Sequence, residues 1–365
     1  MLDFRDNLTP VNRAADDLRR GLPVVVAGAD GKGLALLPLE LANGPALDAF
    51  EAVAGSGFLM VTGQRAEVLK VGHKGWPVVR LKRPGWMESA DLAALADPTL
   101  DLASPLKGPF TRIDHPDTDT DRAALKLLKW ARLLPAALAA EIDDAPALAA
   151  REGWLVANSE AVLAVDLSQA SALKIVARAR VPLAGAEKTE LVSFRPLSGG
   201  IEHIAIVVGD PSRHAPVLTR LHSECFTGDL LGSLKCDCGE QLRGAIKAIG
   251  EAGGGVVLYL AQEGRGIGLI SKLKAYSLQD QGYDTVDANT RLGFDVDERV
   301  FAPAAEMLKS LGFSAVRLMT NNPEKVAALG RFGIEVTERV QHAFPPNPHN
   351  IGYLATKKSR TGHML

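Results

Sequence analysis

Residues 253–282, GGGVVLYLAQEGRGIGLISKLKAYSLQDQG, contain the pattern that decides the fold. An apolar run is followed by a glycine-rich loop and then by residues with helical spacing, which predicts a strand, a loop and a helix. The glycines of the loop are Gly264, Gly266 and Gly268. The helix is expected to carry on one side Ile270, Leu273 and Ser277. This strand–loop–helix arrangement indicates a domain in which strands and helices alternate.

The same alternation of strands and helices extends to both sides of residues 253–282. HIAIVVG (203–209) and AVRLMT (315–320) predict further strands between helical stretches. In the first half, GLPVVVAGADGKGLALLPLE (21–40) predicts two buried strands around a glycine-rich turn, and GFLMVTG (57–63) predicts a third. The alanine-rich stretch 123–150 predicts helix that Pro135 breaks or restarts. The fold class is therefore α/β (α+β).

The length of 365 residues is sufficient for two domains, each with its own core. The pattern changes from helical to extended within ARARVPLAGAEKTELVSFRPL (177–197). We therefore predict one domain over residues 1–165 and a second over residues 175–365.

Composition excludes several classes of protein. A hydrophobic content of 47% and a charged content of 23% are typical of a globular chain. The formal charge of -2 gives no global basic field for nucleic acid. The start MLDFRDNLTP lacks a basic region followed by an apolar stretch, and no run is long and apolar enough to cross a bilayer. We expect a cytoplasmic protein with no nucleic-acid or membrane partner.

Three cysteines, Cys225, Cys236 and Cys238, lie within fourteen residues in HSECFTGDLLGSLKCDCGEQL (222–242). The odd number argues against a disulfide framework. Thiolates are strong zinc ligands, and three protein ligands leave the fourth tetrahedral position for water. His222 is a candidate fourth ligand of a structural site, and three reduced cysteines in a core are the remaining alternative. The polar residues between the cysteines favour a metal site over a core.

Two helix starts are candidate anion sites. After the glycine loop, Glu263, Gly264 and Arg265 could hold part of a nucleotide, because amides at a helix start attract anions. The alternative is a tight turn with a solvent-facing Glu and Arg. In TNNPEKV (320–326) a strand is expected to end at Thr320, followed by an Asn322 cap and Pro323 at the first helical position.

Lys325 in that second segment would add a positive charge for an anion, or would only make the helix surface more soluble.

In FDVDERV (294–300), Asp297 and Arg299 would project from one face of an extended segment. A solvated surface ion pair is the alternative. Tyr276 is either a half-buried aromatic residue or a proton donor.

Four segments together resemble GTP cyclohydrolase II, the first enzyme of riboflavin synthesis: RLHSECFTGDLLGSLKCDCGEQL (220–242), QEGRGIGLISKLKAYSLQDQGYDT (262–285), DERVF (297–301) and TNNPEKV. The resemblance covers roughly residues 175–365, including the closing NPHNIGYLATKKSRTGHML. It implies a mixed sheet with flanking helices in the C-terminal domain. An ordered set of motifs is far more specific than any one of them.

The resemblance also implies the chemistry and the site. Cys225, Cys236 and Cys238 would hold one zinc ion per subunit, with an activated water that attacks the carbon between the two nitrogens of the imidazole ring of guanine. The products would be formate, diphosphate and 2,5-diamino-6-(5-phosphoribosylamino)pyrimidin-4(3H)-one. The residues implied to contact GTP are Arg220, Leu221, His222, Ser223, Glu224, Gln241, Glu263, Gly264, Arg265, Thr285, Thr320 and Lys325.

Three further roles follow from the resemblance. Asp297 would be the proton acceptor, and Arg299 the nucleophile on the α-phosphorus or an electrostatic stabiliser. Tyr276 would complete the reaction beyond ring opening. Magnesium is expected with the triphosphate, and the family suggests a homodimer.

The first half resembles dihydroxybutanone phosphate synthase in VNRAADDLRRGLPVVV (11–26), GFLMVT (57–62) and DTDTDRAALKLL (117–128). That family needs a run of acidic residues after its first strand to bind magnesium, whereas this chain has GADGKG at 28–33. DHPDTDTD (114–121) predicts a solvated loop instead of a substitute cation site. We expect no synthase activity and a structural or regulatory role for residues 1–165.

Three other functions compete with this interpretation. A paralogue would stop at a formamidopyrimidine product or serve another pathway. A non-catalytic zinc and GTP binder would retain the fold without the chemistry. A zinc-stabilised nucleic-acid module would need a basic face with aromatic residues, and only 5% of residues are aromatic.

Overall fold

The structure is a computed structural model that describes residues 8–72, 75–360 and 362. The sequence start MLDFRDN lies outside the described residues, as do Thr361 and residues 363–365 of the closing motif.

The first half of the chain alternates short strands with helices. Its strands are β1 (Val24–Ala27), β2 (Gly33–Pro38), β3 (Phe58–Thr62), β4 (Val78–Lys82), β5 (Thr111–Ile113), β6 (Ala136–Ile142) and β7 (Leu155–Asn158). Its helices are α1 (Leu8–Arg19), α2 (Gly44–Ala54), α3 (Gly63–Val68), α4 (Ser89–Ala96), α5 (Asp119–Trp130), α6 (Ala145–Glu152), α7 (Ser159–Leu163) and α8 (Val165–Ser171).

The second half contains a second set of strands and longer helices. Its strands are β8 (Leu173–Arg180), β9 (Thr189–Pro196), β10 (His203–Gly209), β11 (Val217–Ser223), β12 (Gly254–Leu260), β13 (Ala315–Met319) and β14 (Glu335–Val340). Its helices are α9 (Cys238–Glu251), α10 (Leu269–Asp280), α11 (Thr285–Arg291), α12 (Ala302–Ser310), α13 (Pro323–Arg331) and α14 (Ile351–Arg360). The predicted α/β class is confirmed.

The chain divides into two compact units that are not continuous in sequence. The first unit comprises Met1–Val165 and Ile270–Glu298, and the second comprises Asp166–Leu269 and Arg299–Leu365. The segment Ile270–Glu298 lies inside the predicted catalytic domain, yet it packs as part of the first unit. The functional assignment of the two halves stays a prediction.

The first unit contains a mixed seven-stranded sheet with the order β5-β4-β3-β6-β2-β1-β7. The predicted pair of strands around the glycine-rich turn is present, with β1 antiparallel to β2 and Ala27 opposite Gly33. Every residue of both strands is buried, which explains why they read as continuous apolar runs.

The alanine-rich stretch 123–150 is not helical throughout, which corrects the expectation from composition. Helix α5 ends at Trp130, and after Pro135 the residues AALAAEI form β6 between β2 and β3. The first five residues of β6 are buried. Burial in the middle of the sheet outweighs the helix propensity of alanine, because small side chains fit between closely packed layers.

The acidic segment DHPDTDTD is not wholly a solvated loop, which is a second correction. The side chain of Thr118 accepts a hydrogen bond from the amide of Asp121 at 3.1 Å and caps α5. The side chain of Asp121 is only 2% exposed and pairs with Arg80 at 2.8 Å. Buried carboxylates require such a partner, so this end of the segment belongs to the core of the first unit.

Helix α10 follows the glycine loop as expected, but its apolar side is not its buried side. Ile270 is 66% exposed and Leu273 is 50% exposed. The buried residues of α10 are Ser271, Lys272, Ala275 and Leu278. The spacing identified the helix, whereas it did not identify the face that packs.

The second unit contains a mixed seven-stranded sheet with the order β14-β13-β11-β12-β10-β9-β8. β11 is parallel to β12 and β13, and β13 is parallel to β14. One face packs against a core that includes Phe301, Leu308 and Leu329, and the other against Ala245 and Ile249. Helices α12 and α13 thus cover one face and α9 the other. This is the predicted mixed sheet with flanking helices.

Among the described residues, no helix combines the length and the apolar character needed to span a bilayer.

Replacing Asp121 by Ala should reduce the free energy of unfolding of the first unit by about 3 kcal/mol, because it removes the buried carboxylate of Arg80 and leaves this buried guanidinium paired with the exposed Glu141. All four tryptophans lie in this unit, so urea unfolding followed by tryptophan fluorescence reports on it. Asp119→Ala is the matched control, since Asp119 lies in the same helical turn but is 72% exposed. Equal losses in both variants would contradict a structural role for the buried pair.

Candidate functional site

The site is built at one edge of the sheet in the second unit. The parallel strands β11, β12 and β13 end at Ser223, Leu260 and Met319. Parallel strands end at the same edge, and β12 and β13 lie on opposite sides of β11. Ligands of α/β sheets bind at such a point, outside the carboxyl ends of the strands. The predicted site residues 220–223 form the end of β11 itself, and Glu224, Cys225, 263–265 and Thr320 come directly after the three strands.

The three cysteines come together at this edge. Cys225 follows β11, Cys236 lies in the next loop, and Cys238 is the first residue of α9. Their sulfur atoms all lie within 4.8 Å of one another, and Sγ of Cys225 is 3.7 Å from Sγ of Cys236. This arrangement is close enough for all three to bind one ion.

Gly228 makes this close approach possible. A methyl group at this position would lie 2.8 Å from Sγ of Cys236 and 3.0 Å from Sγ of Cys225. The amide of Gly228 also donates to Sγ of Cys225 at 3.3 Å. The loop therefore forms a cradle around the sulfurs that any side chain at 228 would fill.

The sulfur cluster is suited to a cation. The hydrogen bond with Cys225 raises the pKa of Cys236 to about 11, and the same neighbour raises the pKa of Cys238. Adjacent thiols disfavour one another's charged forms, whereas a bound metal ion favours them. In the described part of the chain, the group contains three ligands and no fourth. Soft sulfur donors in this number fit zinc with one open position.

His222 is turned to a carboxylate and is not a member of the sulfur cluster. Its Nε2 lies 3.0 and 3.1 Å from the two carboxylate oxygens of Asp229. Burial lowers the pKa of His222, and the hydrogen bond with Asp229 opposes that effect. The imidazole also stacks on Tyr259, with ring centroids 5.5 Å apart.

Asp229 is a site residue that sequence reasoning missed. Its side chain is 7% exposed and accepts hydrogen bonds from the amide of Cys225 and the hydroxyl of Tyr259, both at 3.0 Å. Burial, followed by the Asp229 charge, raises the pKa of Tyr259. Asp229 thus joins His222 to the first cysteine. The available signal was that it is the single acidic residue between Cys225 and Cys236.

The buried Arg220 and the half-buried Gln241 form a pair beside the cysteines. Arg220 donates to the carbonyl of Met319 at 2.9 Å and to the side chain of Gln241. Its Nε is buried with no hydrogen bond to the described residues. Burial lowers the pKa of Arg220 to about 10, while Asp237 and Cys238 oppose that effect. The guanidinium therefore remains charged at neutral pH.

His342 is a second residue that the sequence did not reveal. Its Nε2 lies 2.9 Å from the carbonyl oxygen of Gln241. Asn321 forms hydrogen bonds with the backbone of His342 through both side-chain atoms, at 2.7 and 3.2 Å. This contact joins the chain after β14 to the end of β13 and to α9.

The glycine loop follows β12 and has an unusual backbone. Gly264, Arg265, Gly266 and Gly268 all have positive φ angles. Glycine adopts this region without strain, whereas arginine rarely does. The carboxylate of Glu263 accepts hydrogen bonds from the amide of Phe226 at 2.6 Å and from that of Gly264 at 3.0 Å. Glu263 therefore fixes the glycine loop against the cysteine loop and does not face solvent.

Thr320 and Lys325 follow the end of the third strand, β13. Asn322 caps α13 by accepting from the amide of Glu324 at 3.0 Å, and Pro323 is its first residue, as the sequence predicts. The ammonium of Lys325 donates to the carbonyl of Leu221 at 2.7 Å. Lys325 is 6% exposed, so it is not a solubilising surface residue. The hydroxyl of Thr320 accepts from the amide of Asn322 at 3.0 Å.

Neighbouring predicted residues complete this edge. The amide of Glu224 donates to the carbonyl of Leu260 at 2.8 Å, which extends the pairing of β11 with β12. The hydroxyl of Ser223 accepts from Gln262 at 3.1 Å.

Three predicted residues belong to the first unit: Tyr276, Thr285 and Asp297. Arg299 is the residue at which the chain returns to the second unit. Tyr276 is half-buried, with the ammonium of Lys272 5.6 Å from the centre of its ring. Thr285 begins α11 and accepts from Gln279 at 3.2 Å. Asp297 is exposed in irregular backbone and not in an extended strand. The guanidinium of Arg299 lies 5.5 Å from the ring of Phe301.

Comparison with known proteins identifies the family. The family model described as GTP cyclohydrolase II matches residues 174–341. A GTP cyclohydrolase-2 from Azospirillum brasilense is 50% identical over 360 residues, which cover 97% of this chain and 94% of that protein. The chain belongs to the GTP cyclohydrolase II family. The predictions of the family and of an enzyme are confirmed.

Other relatives of the same name are shorter. GTP cyclohydrolase-2 proteins from Shigella boydii and Escherichia coli are 53% identical over 193 residues, which cover 53% of this chain and 98% of those proteins. A crystal structure of a two-domain 3,4-dihydroxy-2-butanone 4-phosphate synthase from A. baumannii aligns over 90% of this chain and 99% of that one. The TM-score of this alignment is 0.34 and the sequence identity is 15%.

Replacing Asp229 by Asn should weaken metal binding by about 10- to 100-fold, because an amide cannot accept all the hydrogen bonds that orient Cys225 and His222. Competition with a metal chelator would measure the affinity. Glu240→Gln is the matched control, since it also removes a negative charge near Cys238 but its side chain is exposed. If both variants bound metal equally well, Asp229 would have no role in orienting the ligands.

Proposed function

We propose that this chain hydrolyses GTP to 2,5-diamino-6-(5-phosphoribosylamino)pyrimidin-4(3H)-one with release of formate and diphosphate, the first step of riboflavin synthesis. The observation that carries the proposal is the sulfur cluster at the edge where β11, β12 and β13 end. A catalytic metal and a nucleotide site are both expected at such an edge. The family relationship supplies the substrate of the proposal.

Cys225, Cys236 and Cys238 would hold one zinc ion per subunit. When bound, zinc would supply an activated water for hydrolysis of the purine ring. Gly228 leaves room for the three sulfurs, and Asp229 orients the loop that carries Cys225. His222 would then serve the nucleotide and not the metal, since Asp229 already engages its Nε2.

The strand ends offer charges and donors of the kind that GTP needs. Lys325 places a buried ammonium beside the end of β11, where it favours an anionic group. Arg220 holds the side chain of Gln241, which can accept from or donate to a polar ring edge. The residues of the proposed GTP site in the second unit are Arg220, Leu221, His222, Ser223, Glu224, Gln241, Glu263, Gly264, Arg265, Thr320 and Lys325.

Thr285, Tyr276 and Asp297 enter the proposal through the family resemblance. Breaking one C–N bond at the carbon between the ring nitrogens gives a formamide, and hydrolysis of the second releases formate. Tyr276 is proposed to promote this second hydrolysis, and Asp297 to accept a proton. A relative that stops after the first bond would accumulate the formamide.

Arg299 is proposed to act through its charge on the phosphate groups. Guanidinium stays protonated to very high pH, so attack through its nitrogen would require prior loss of a proton. Stabilisation of the charge that develops as diphosphate leaves requires no such step. A magnesium ion is proposed to accompany the triphosphate, because it bridges phosphate oxygens while it keeps much of its water.

The homodimer and the cytoplasmic location remain predictions. Residues 1–165 are proposed to have no synthase activity, and turnover of ribulose 5-phosphate by the purified protein would refute this.

Incubation of zinc-loaded protein with GTP should release formate and diphosphate, with the diaminopyrimidine as the pyrimidine product detected by mass spectrometry. Cys225→Ser should lose both bound zinc and ring opening, because two thiolates hold zinc poorly. No consumption of GTP by the zinc-loaded protein would end the proposal. An accumulating formamide would instead favour a related enzyme that stops at ring opening, and full activity without zinc would contradict the metal site.

Replacing Arg299 by Lys should slow diphosphate release by about tenfold, because lysine keeps the charge but not the two-pronged geometry. Arg299→Met, which lacks the charge, should slow release by at least a further tenfold. Rapid-quench measurement of diphosphate would compare the two variants. Equally complete loss in both would favour arginine as an obligatory nucleophile.

A further inference from the structure

The segment Ile270–Glu298 is the part of the GTP cyclohydrolase II region that packs within the first unit. It carries Tyr276, Thr285 and Asp297, which the proposed function places in the reaction and in GTP binding. The contacts that hold this segment within the first unit therefore bear on catalysis.

Apolar packing fixes the middle of the segment. Val286, Ala288, Leu292 and Phe294 are all buried. The turn after α11 passes very close to the sheet, because a methyl group on Gly293 would lie 2.9 Å from Oγ1 of Thr62 and 3.0 Å from Cγ of Pro135. Gly293 also has a φ of +86°, which glycine alone adopts readily. A backbone that approaches the sheet so closely has a defined position.

A first set of ion pairs holds α10 and α11. Lys274 on α10 pairs with Asp97 and lies 3.5 Å from Glu40. Arg291 at the end of α11 lies 3.6 Å from Asp101. Asp101 is itself fixed by two hydrogen bonds from the buried Arg65, at 2.8 and 2.9 Å. Carboxylates of the N-terminal half thus hold a cation on each helix.

A second set of polar contacts holds Asp295 and Glu298, which flank Asp297 in the sequence. Lys129 on α5 pairs with Asp295 at 3.1 Å and with Glu298 at 2.6 Å. Gln64 on α3 donates to the other carboxylate oxygen of Asp295 at 2.6 Å. Glu298 also accepts from the amide of Asp295 at 2.7 Å, which closes the loop on itself. In the sequence, the proposed proton acceptor Asp297 therefore lies between two residues whose carboxylates pair with the same lysine.

We propose that the N-terminal half of this chain positions the segment Ile270–Glu298 for the reaction, with Lys129 as the residue that fixes the stretch around Asp297. The inference rests on the proposed function for the roles of Asp297, Tyr276 and Thr285. Lys129 is a positioning residue, because it acts through Asp295 and Glu298. Positioning of this segment would be a role for residues 1–165 that needs no synthase activity.

The length of the relatives sharpens this inference. Proteins of about half this length carry the same name, so the reaction does not in general require an N-terminal half. In this chain, however, four charged side chains of the segment, Lys274, Arg291, Asp295 and Glu298, pair with residues between 40 and 129. Without those partners, the carboxylates of Asp295 and Glu298 would repel each other beside Asp297.

The test compares three variants of the full-length zinc-loaded protein. Lys129→Met removes the ammonium and keeps most of the side-chain length. Lys129→Arg retains the charge and can pair with both carboxylates. Lys126→Met is the matched control, since Lys126 lies one turn earlier on α5 and its ammonium binds the carbonyl of Leu163 at 2.7 Å within residues 1–165. The readouts are kcat, KM for GTP, bound zinc, and hydrogen exchange of the amides of residues 294–298.

Lys129→Met should lower kcat by about tenfold, since small displacements of reacting groups have effects of this size or larger. We expect KM to change less than twofold, zinc content to be unchanged, and exchange at residues 294–298 to be faster. Lys129→Arg should restore most of the kcat, and Lys126→Met should change neither kcat nor exchange.

Wild-type kcat and exchange in Lys129→Met would overturn the inference, as would an equal loss of kcat in Lys126→Met. Failure of the proposed function would be distinct from this outcome. If the wild-type protein does not turn over GTP, the proposed reaction is wrong, while the exchange rates still show whether Lys129 holds the segment.

Discussion

The parallel alignment of β11 with β12 and β13 is the constraint on which the rest of the second unit depends. It brings three strand ends to one edge, and each end is followed by a loop with polar side chains. Buried strands cannot move relative to one another without breaking their hydrogen bonds, so these loops start from fixed points. The cysteine loop, the glycine loop and the start of α13 are therefore held in register by the sheet.

Charged groups inside this edge are held by specific partners. Asp229 accepts from three different groups, Glu263 bridges two loops, and Lys325 donates to a strand carbonyl. Burying such charges is unfavourable unless each has hydrogen bonds. Their presence in the interior therefore reflects a need to orient loops more than a contribution to stability. A binding site with fixed dipoles loses little free energy to reorganisation when a charged ligand arrives.

The sequence predicted the strands and the sulfur cluster well, because both depend on local patterns. HIAIVVG forms β10 over the predicted residues 203–209, and the apolar run before the glycine loop forms β12, since apolar β-branched runs are typical of buried strands. AALAAEI was wrongly included in a helix, because its place in the middle of a sheet depends on distant residues. Asp121 and His342 could not be recognised for the same reason, because their partners Arg80 and Gln241 lie 41 and 101 residues away in the chain. Asp229 has near partners, Cys225 and His222, and its position between two of the cysteines was a signal that went unused.

The discontinuous first unit has a consequence for how the chain is made. A ribosome releases residues 1–165 first, and domains generally begin to fold as they emerge. Helices α10 and α11 emerge only after β8 to β12 have been synthesised, yet they complete the first unit. The surface that receives α11 and Phe294 therefore stays uncovered while about a hundred residues of another sheet are added. The first unit therefore cannot complete its core until residues 270–298 have been added, by which point five strands of the second sheet have already been synthesised.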